Sequence, residues 1–422
     1  MTSHMPIVGR FAWRYGRDIV ARDRARAQKM LQGLRPHGPH KHRKHHAGRE
    51  EAARHHGGGG SAAASGTGTG ASAGAGAGTD PMSSGTGVDV TDAGVTYTAT
   101  VGVGSPATDY MLLIDTGSSN TWLGASQKYV KTSTSKSTGA SVSVSYGSGS
   151  FSGTEYTDTV TLAPTLVIEN QSIGVASQAQ GFEDVDGILG VGPADLTQNT
   201  VSGQSMVPTV VDNLFSQGTI AADSLGISFE PTTEMGAING ELTFGGVDAS
   251  KITGDVTFVP ITSTSPASNY WGINQDVTYG QDTALLSGAA GIVDTGTTLV
   301  MIATDAFQQY QQATGGTMDQ STGLLRFTES QFEGLQSLFF NIGGTTFELS
   351  PNAQIWPRAL NPMLDGDADG IYSVVADIGT PSGQGLDFIN GFAFLQRFYS
   401  VFDTGNAQVG LATTPFTDAT TN

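Results

Sequence analysis

The chain contains no cysteine, and its eight histidines all lie in the first 56 of its 422 residues. From residue 57 onward it therefore cannot build a Ser-His or Cys-His nucleophile, a thiolate centre or a zinc site with two histidine ligands. No disulfide can form, so the folded body depends on core burial for its stability. Carboxylates, hydroxyls and backbone groups must carry whatever chemistry the body performs.

Lysine and arginine are scarce after the first segment. Residues 1–57 hold 13 of the 20 basic residues and 4 of the 38 acidic ones. Residues 58–422 therefore hold 7 basic and 34 acidic residues, a formal charge of −27. Such a body repels nucleic acid and anionic membranes, which excludes both as partners. The charge suits an acidic medium, where protonation of carboxylates reduces self-repulsion.

Long apolar runs are missing as well. No segment reaches the roughly 20 apolar residues that are needed to cross a bilayer. The first 35 residues hold no apolar core of signal-peptide length, so we expect the export signal to be absent from this chain.

The basic first segment has three parts. Residues 17–31 follow a helical period and predict a basic amphipathic helix, with a solvated charged helix or a nucleic-acid-binding arm as the alternative. A run rich in His, Lys and Arg follows at 36–56. The Gly, Ala, Ser and Thr stretch at 57–78 can bury nothing and predicts a flexible, cleavable linker.

From about residue 87 the pattern is typical of an all-β protein: short stretches rich in Val, Ile, Thr and Tyr alternate with Gly, Ser, Asn and Pro. Strands are predicted, among others, at 95–103, 142–146, 154–162 and 225–230. Short helices are predicted at 207–216, 304–313 and 329–337. About 335 residues are too many for one small β-core, so we expect two β-lobes.

Two nearly identical turns lie 179 residues apart, around Asp115 and Asp294. Each follows an apolar run and reads Asp-Thr-Gly followed by a hydroxyl residue. One such sequence is ordinarily a β-turn. Two together predict a catalytic dyad, because like charges about 3 Å apart cannot both ionise cheaply and therefore share one proton. Such a pair can activate water and protonate a leaving amine, which hydrolyses an amide without a covalent intermediate.

The residues beside the two carboxylates have separate expected roles. Ser118 and Thr297 are placed to donate to the outer carboxylate oxygens. Thr116 and Thr295 are placed to bond across to the opposite turn. Each turn also has a glycine that lets a substrate carbonyl approach closely: Gly117 and Gly296.

An apolar-apolar-glycine element follows each Asp turn, at 186–192 and at 388–391. We expect each element to lie beside the Asp strand of its own lobe. This repeat supports one Asp turn in each of two similar lobes.

The Tyr-Gly-Ser-Gly sequence at 146–149 lies between two alternating strands. On spacing alone it predicts a hairpin turn, and a catalytic lid is the less favoured interpretation. A glycine-flanked aromatic residue that swings over a cleft would expel water and bring backbone donors to a peptide.

Three other motifs carry little weight. The sequence at 102–107 matches a dinucleotide-binding fingerprint, but Pro106 prevents the helix that such a site requires. The acidic sequence at 365–370 begins like a calcium loop, yet its twelfth position is Ala376, so we expect a solvated turn. Asn170 begins a glycosylation sequon, and such short sequons are common by chance.

From about Val95 to its C-terminus the chain resembles the pepsin-like aspartic endopeptidases. The resemblance rests on several specific motifs: DTGSSNTW at 115–122, YGSG at 146–149, DGILG at 186–190, DTGTT at 294–298 and FYSVFD at 398–403.

The resemblance implies a function for most of these residues. Asp115 and Asp294 would be the dyad, resting on a grip formed by the two threonines that follow them. Residues 146–149, with Tyr146, Gly147 and Ser148, would be the tip of a hairpin flap. Trp122 would be the hydrogen-bond partner of the Tyr146 hydroxyl, and Thr298 would contact substrate. No metal or cofactor is implied.

The chain departs from the family pattern in two respects. Most relatives have disulfides. Many read Ile-Leu-Gly-Asp where this chain has Ile-Asn-Gly-Phe at 389–392, which leaves the family's very acidic optimum open.

Together these observations predict an all-β, bilobal, pepsin-like double β-barrel. Residues 1–83 would be a basic inhibitory pro-segment with its linker, 84–255 the N-terminal lobe and 256–422 the C-terminal lobe. We expect a secreted, monomeric zymogen of an aspartic endopeptidase that cuts polypeptides between bulky apolar residues. The alternative is a non-enzymatic acidic β-protein, either an inactive family member or a calcium-dependent binding module.

Overall fold

The computed structural model describes residues 16–33 and 84–421. The predicted His-rich run at 36–56 and the linker at 57–78 lie outside these residues. After residue 84 the regular structure of the described chain is predominantly β-strand, which confirms the predicted fold class. Within the described ranges, no helix is long and apolar enough to span a membrane.

The strands occur in two groups along the chain. Those of the first half are β1 (Thr86–Asp92), β2 (Tyr97–Val103), β3 (Thr108–Asp115), β4 (Trp122–Leu123), β5 (Lys136–Ser145), β6 (Ser150–Ala163), β7 (Leu166–Gln180), β8 (Gly187–Gly190), β9 (Ser224–Ser228), β10 (Ile238–Phe244) and β11 (Thr257–Pro260). Those of the second half are β12 (Gly272–Tyr279), β13 (Thr283–Val293), β14 (Val300–Ile302), β15 (Thr317–Met318), β16 (Leu325–Phe327), β17 (Leu338–Ile342), β18 (Thr345–Leu349), β19 (Ile371–Tyr372), β20 (Val375–Asp377), β21 (Phe388–Asn390), β22 (Phe398–Asp403) and β23 (Gln408–Thr413).

The α-helices of the described chain are few and mostly short: α1 (Gly16–Gln32), α2 (Val210–Ser216), α3 (Thr304–Thr314), α4 (Glu329–Glu333) and α5 (Phe392–Leu395). The first four confirm the predicted helices. Helix α2 begins at the Thr209 N-cap, which forms a reciprocal capping box with Asp212. Helix α4 is shorter than predicted because it ends at Gly334, just ahead of β17.

Three sheets organise these strands. A 13-stranded sheet has the order β11-β23-β22-β9-β10-β1-β2-β3-β8-β4-β7-β6-β5. A 7-stranded sheet has the order β18-β17-β12-β13-β21-β14-β20, and a 3-stranded sheet has the order β15-β16-β19. The large sheet joins β1 and β2 to strands from the end of the chain, so the two halves share a common base. The lobe boundary between residues 255 and 256 stays a prediction.

The two Asp-bearing strands have matching neighbours. Strand β3 runs parallel to β8, which pairs antiparallel with β4. Strand β13 runs parallel to β21, which pairs antiparallel with β14. The apolar-apolar-glycine elements therefore lie beside the Asp strands, as predicted. Glycine is required at these crossings, because a Cβ on Gly187 would collide with the Trp122 carbonyl and one on Gly391 with the Leu299 carbonyl.

Three buried carboxyl groups make stability depend on pH. Burial raises the pKa of Asp92, Glu155 and Asp223 to about 7 in each case. In the unfolded chain such groups titrate near 3.8 or 4.5. Between these values the folded chain holds protons that the unfolded chain has lost. Stability is therefore full at about pH 4 and falls as the pH rises to 7.

We expect Glu155→Gln to reduce this pH dependence. A neutral amide removes the cost of ionising a buried group, so the variant should gain up to about 3 kcal/mol on its parent between pH 4 and pH 7. Calorimetric unfolding at pH 4, 5, 6 and 7 measures the gain. Glu348→Gln is the matched control, because Glu348 also accepts a serine hydroxyl but is exposed. An unchanged pH slope in the Glu155 variant would contradict the assignment.

Candidate active site

The two Asp turns meet where the two halves of the chain touch. Asp115 is the last residue of β3 and Asp294 follows β13, and both side chains are fully buried. Thr116 N donates to Thr295 Oγ1 and Thr295 N donates to Thr116 Oγ1, each at 3.0 Å. Each threonine hydroxyl then donates to the carbonyl that precedes the opposite Asp turn, Val293 O at 3.3 Å and Ile114 O at 2.9 Å. The arrangement has approximate twofold symmetry.

Each carboxylate accepts a matching pair of hydrogen bonds from its own turn. The donors are Gly117 N (3.0 Å) and Ser118 Oγ (2.5 Å) for Asp115, and Gly296 N (3.0 Å) and Thr297 Oγ1 (2.6 Å) for Asp294. The glycines lie against the opposite carboxylates: a Cβ on Gly117 would lie 2.6 Å from Asp294 Oδ1, and one on Gly296 would lie 2.5 Å from Asp115 Oδ1. The structure thus brings all eight residues of the predicted dyad and its support into one cluster.

Arg26 of α1 binds both carboxylates. Its Nε donates to Asp294 Oδ2 at 2.6 Å, and its Nη2 donates to Asp294 Oδ1 at 2.9 Å and to Asp115 Oδ1. Burial disfavours the charged guanidinium, but Asp115 and Asp294 outweigh burial and raise the pKa of Arg26. Burial likewise opposes ionisation of Asp294, and Arg26 outweighs it and lowers the pKa of that carboxyl. The guanidinium therefore stabilises the ionised form of Asp294 and also binds Asp115.

Polar groups in the turn before Arg26 also hold α1 in the cleft. Asp23 Oδ2 accepts hydrogen bonds from Thr298 N at 3.1 Å and from Leu299 N at 2.9 Å. Arg24 donates to the Asp377 carbonyl at 2.8 Å and to its Oδ2 at 3.0 Å. Thr298 is thus a contact of the helix, and its hydroxyl also donates to a backbone carbonyl at 3.0 Å.

Apolar side chains of α1 are buried both before and after Arg26 along the helix. Ile19 and Val20 are buried before Arg26, and Ala27 and Met30 are buried after it. Beyond Met30 a cavity of about 400 Å³ opens beside the C-terminal turn of α1. Its walls are formed by the flap, the turn after Asp115, and residues of both lobes: Asn120, Ser143, Tyr146, Leu196, Thr200 and Tyr270.

Tyr146 lies in the turn at the tip of the β5–β6 hairpin. This turn covers the contact between α1 and the two carboxylates. Tyr146 N donates to Gly149 O at 2.7 Å, and Ser148 completes the turn. The Gly147 backbone lies directly against Arg26, where an added Cβ would collide with the helix backbone.

Trp122 and Tyr146 both contact the Phe182 ring beside the flap. Trp122 stacks on Phe151 with centroids 4.2 Å apart, and both Trp122 and Tyr146 meet the Phe182 ring edge-on. Trp122 Nε1 and Tyr146 Oη are buried without a hydrogen-bond partner in the described part of the chain. Burial, reinforced by Asp115, raises the pKa of the Tyr146 hydroxyl.

The departure at 389–392 has a structural explanation. The Asn390 amide is buried and exchanges hydrogen bonds with Gln275, at 2.9 Å and 3.3 Å. Phe392 N donates to Thr297 O at 2.7 Å, and the Phe392 ring packs on Tyr97 with centroids 5.5 Å apart. An apolar ring therefore occupies the position where many relatives have a carboxylate.

Sequence reasoning missed four residues of this site: Asp23, Arg24, Arg26 and Tyr270. The first three lie within the predicted helix, but its many basic residues gave no sign of which one would reach the carboxylates. Tyr270 is buried with a pKa raised to about 12, chiefly by burial, with Arg26 and Asp294 as its charged neighbours. No motif surrounds it.

Known proteins match this chain over its whole β-body. The family model for eukaryotic aspartyl proteases matches residues 96–414. Polyporopepsin from Irpex lacteus is 64% identical over 337 residues, covering 79% of this chain and 99% of that protein. Pepsin A from Sus scrofa is 31% identical over 334 residues, covering 75% of this chain and 80% of that protein.

A solved structure agrees with these similarities. The crystal structure of an aspartic proteinase from Irpex lacteus has a TM-score of 0.78 and 63% identity, covering 80% of this chain and 99% of that one. The predicted resemblance is thereby confirmed. The chain belongs to the eukaryotic aspartyl protease family and is a pepsin-like aspartic endopeptidase.

Proposed function

We propose that this endopeptidase is a secreted zymogen whose dyad, Asp115 and Asp294, hydrolyses peptide bonds in acidic medium. The observation that carries the proposal is the pair of buried carboxylates, joined by the threonine hydrogen bonds and bound by a single guanidinium. Such a pair holds one proton between two like charges once the guanidinium leaves.

The chemistry follows from that shared proton. The ionised carboxylate takes a proton from water as the water oxygen attacks the scissile carbonyl carbon, while the neutral carboxyl donates its proton to the carbonyl oxygen. A tetrahedral intermediate results. Its C–N bond then breaks as the amine nitrogen receives a proton from the carboxyl that accepted one from water, and a hydroxyl of the intermediate returns its proton to the other carboxylate, which yields a carboxylic acid and an amine and restores the shared proton. Ser118 and Thr297 orient the carboxylates throughout, and no metal or cofactor takes part.

The substrate class is inferred from what α1 places in the cleft. Ile19, Val20 and Met30 are buried on either side of Arg26, which supports a preference for bulky apolar residues near the scissile bond. An extended peptide would lie under the flap once the helix has left. Trp122 already lies close enough to the Tyr146 hydroxyl to lower its pKa against the effect of burial, and we infer that a small shift of Tyr146 completes the hydrogen bond from Trp122 Nε1.

The calcium-binding alternative is less well supported. Three carbonyls of the acidic turn at 365–370 accept hydrogen bonds from Asn361 Nδ2, at 2.8 to 3.2 Å. Asp367 pairs with Arg326 at 2.6 Å. These contacts hold the turn without a cation.

Residues 1–83 would act as the inhibitory pro-segment. Helix α1 occupies the dyad with its Arg26 charge, and its own amides are bonded within the helix and cannot be presented as an extended substrate. Cleavage is expected ahead of Thr86, because β1 is already paired with β10 in the large sheet. Acid would release α1, because docking lowers the pKa of Asp294 and is therefore favoured only while the dyad stays ionised.

We expect Asp115→Asn and Asp294→Asn each to abolish proteolysis without unfolding the chain. An amide cannot exchange the proton that passes between water and the leaving amine, so the loss should fall on kcat. Casein cleavage followed by mass spectrometry measures it. Asp282→Asn, in an exposed hairpin turn, is the control and should remain active. Retention of more than about a tenth of the parent turnover in either dyad variant would refute the assignment.

Tyr146→Ala should lower turnover by on the order of 10- to 100-fold, since the flap positions substrate and supplies no acid or base. Tyr146→Phe keeps the ring against Phe182 and should lose less. Steady-state rates on one peptide by the activated enzymes give the comparison. If the alanine variant has the same rates as the parent, residues 146–149 form only a hairpin turn and not a catalytic flap.

Arg26→Ala should allow the full chain to process itself at pH 5 to 6, where the parent chain persists. The reason is that the dyad loses the guanidinium that occupies it. A time course of pro-segment loss, with Arg17→Ala as the exposed control on the same helix, tests this expectation. Once processed, all three proteins should have equal activity. If Arg26→Ala and its parent process at the same rate, α1 is not what restrains the enzyme.

A further inference from the structure

Asp23 is the most unusual group of the docked helix. Its side chain is fully buried one turn before Arg26. Oδ2 accepts both hydrogen bonds from the turn after Asp294, whereas Oδ1 is buried and has no hydrogen-bond partner among the residues described. A buried, unpartnered carboxylate oxygen costs free energy when the group is charged, and that cost falls when the group is neutral.

The charges around Asp23 do not fully offset this cost. On its own helix, Arg22 and Arg26 face it, and Arg26 is already bound by the two dyad carboxylates. The turn after Asp294 contributes only the backbone N–H groups of residues 298 and 299. In the turn at 358–364, which also packs against α1, Arg358 pairs with Glu329 at 3.2 Å.

We propose that Asp23 makes the docked pro-helix hold the cleft more tightly in mildly acidic medium than at neutral pH, which delays activation until the dyad itself takes up a proton. The proposal rests on the inhibitory role of α1 given above. It assigns to one residue of the pro-segment a pH response opposite to that of the dyad.

The sign follows from linkage. Burial raises the pKa of docked Asp23 to about 6, although Arg22 and the two N–H groups act against burial. In a released, solvated helix the ordinary value is 3.8. Docking therefore takes up a proton between about pH 6 and pH 4, and the docked state gains on the released state as the pH falls through that range. The gain for full neutralisation is on the order of 100-fold in the docking constant.

The dyad sets the lower limit of this range. Arg26 lowers the pKa of Asp294 while it is bound, and the pair can share a proton once Arg26 has left. Docking is therefore lost in stronger acid. Asp23 strengthens docking first and the dyad then cancels it, so release is shifted to lower pH.

Asp23→Asn separates the two effects. Asparagine places an acceptor against the two N–H groups and an NH₂ group where Oδ1 stood, which matches the neutral carboxyl in shape and in its donor. The variant should dock at pH 7 as tightly as neutral Asp23 would. Asp18→Asn is the matched control, because Asp18 is an exposed acid on the same helix.

Hydrogen exchange of the full chain measures docking without relying on activity. Short deuterium pulses at pH 7, 5 and 4 would be read at the amides of residues 17–32 and 298–299, comparing variants only at the same pH. Relative to the parent, Asp23→Asn should raise protection by on the order of 100-fold at pH 7, about tenfold at pH 5 and a few-fold at pH 4. Asp18→Asn should match the parent throughout.

Two outcomes would overturn the proposal: equal protection of Asp23→Asn and parent at pH 7, or lower protection of the variant, which would mean that the charged form holds the helix. Arg26→Ala pulsed at pH 7, away from the range of pH 5 to 6 in which it is expected to process itself, tests the proposed function separately. If Arg26→Ala leaves protection unchanged, the proposed inhibitory contact between Arg26 and the dyad is refuted. If it abolishes protection while Asp23→Asn has no effect, only the role of Asp23 fails.

Discussion

The proposed active site depends on the hydrogen bonds that Thr116 and Thr295 make across the two Asp turns. Each threonine hydroxyl accepts from the opposite backbone and donates to the opposite strand, so neither turn can shift alone. Strands β8 and β21 run beside the two Asp strands and fix the same turns from below. Rigid backbone on both sides keeps two carboxylates close in a buried place, where mutual repulsion makes them share a proton.

That repulsion also explains the docked helix. Two buried carboxylates without a substrate form a strong site for one guanidinium, and Arg26 meets it with a forked set of hydrogen bonds. The helix adds apolar contacts through Ile19 and Met30, so docking combines a localised charge pair with burial. The overall contrast between a basic first segment and a body of charge −27 contributes long-range attraction, but the specific contact is made by a few residues.

Sequence reasoning reached the residues whose roles are local or repeated. The Asp turns could be recognised because their sequence occurs twice. Short alternating stretches correctly predicted strands such as β2 and β6. The contact of Arg26 with the two carboxylates could not be predicted from the sequence. Arg26 is 89 positions from Asp115 and 268 from Asp294, and it is one of several arginines on the helix. The end of α4 was missed for a simpler reason: Gly334 stops a pattern that apolar periodicity alone would continue.

We propose that the two carboxylates that act on water also hold the pro-segment in place. Hydrogen exchange of residues 17–32 in an Asp115→Asn, Asp294→Asn double variant tests it most directly, because this chain cannot process itself. At pH 6 these amides should lose most of their protection relative to the same residues in an unprocessed parent chain. Unchanged protection would contradict it, since α1 would then dock without the charge of the dyad.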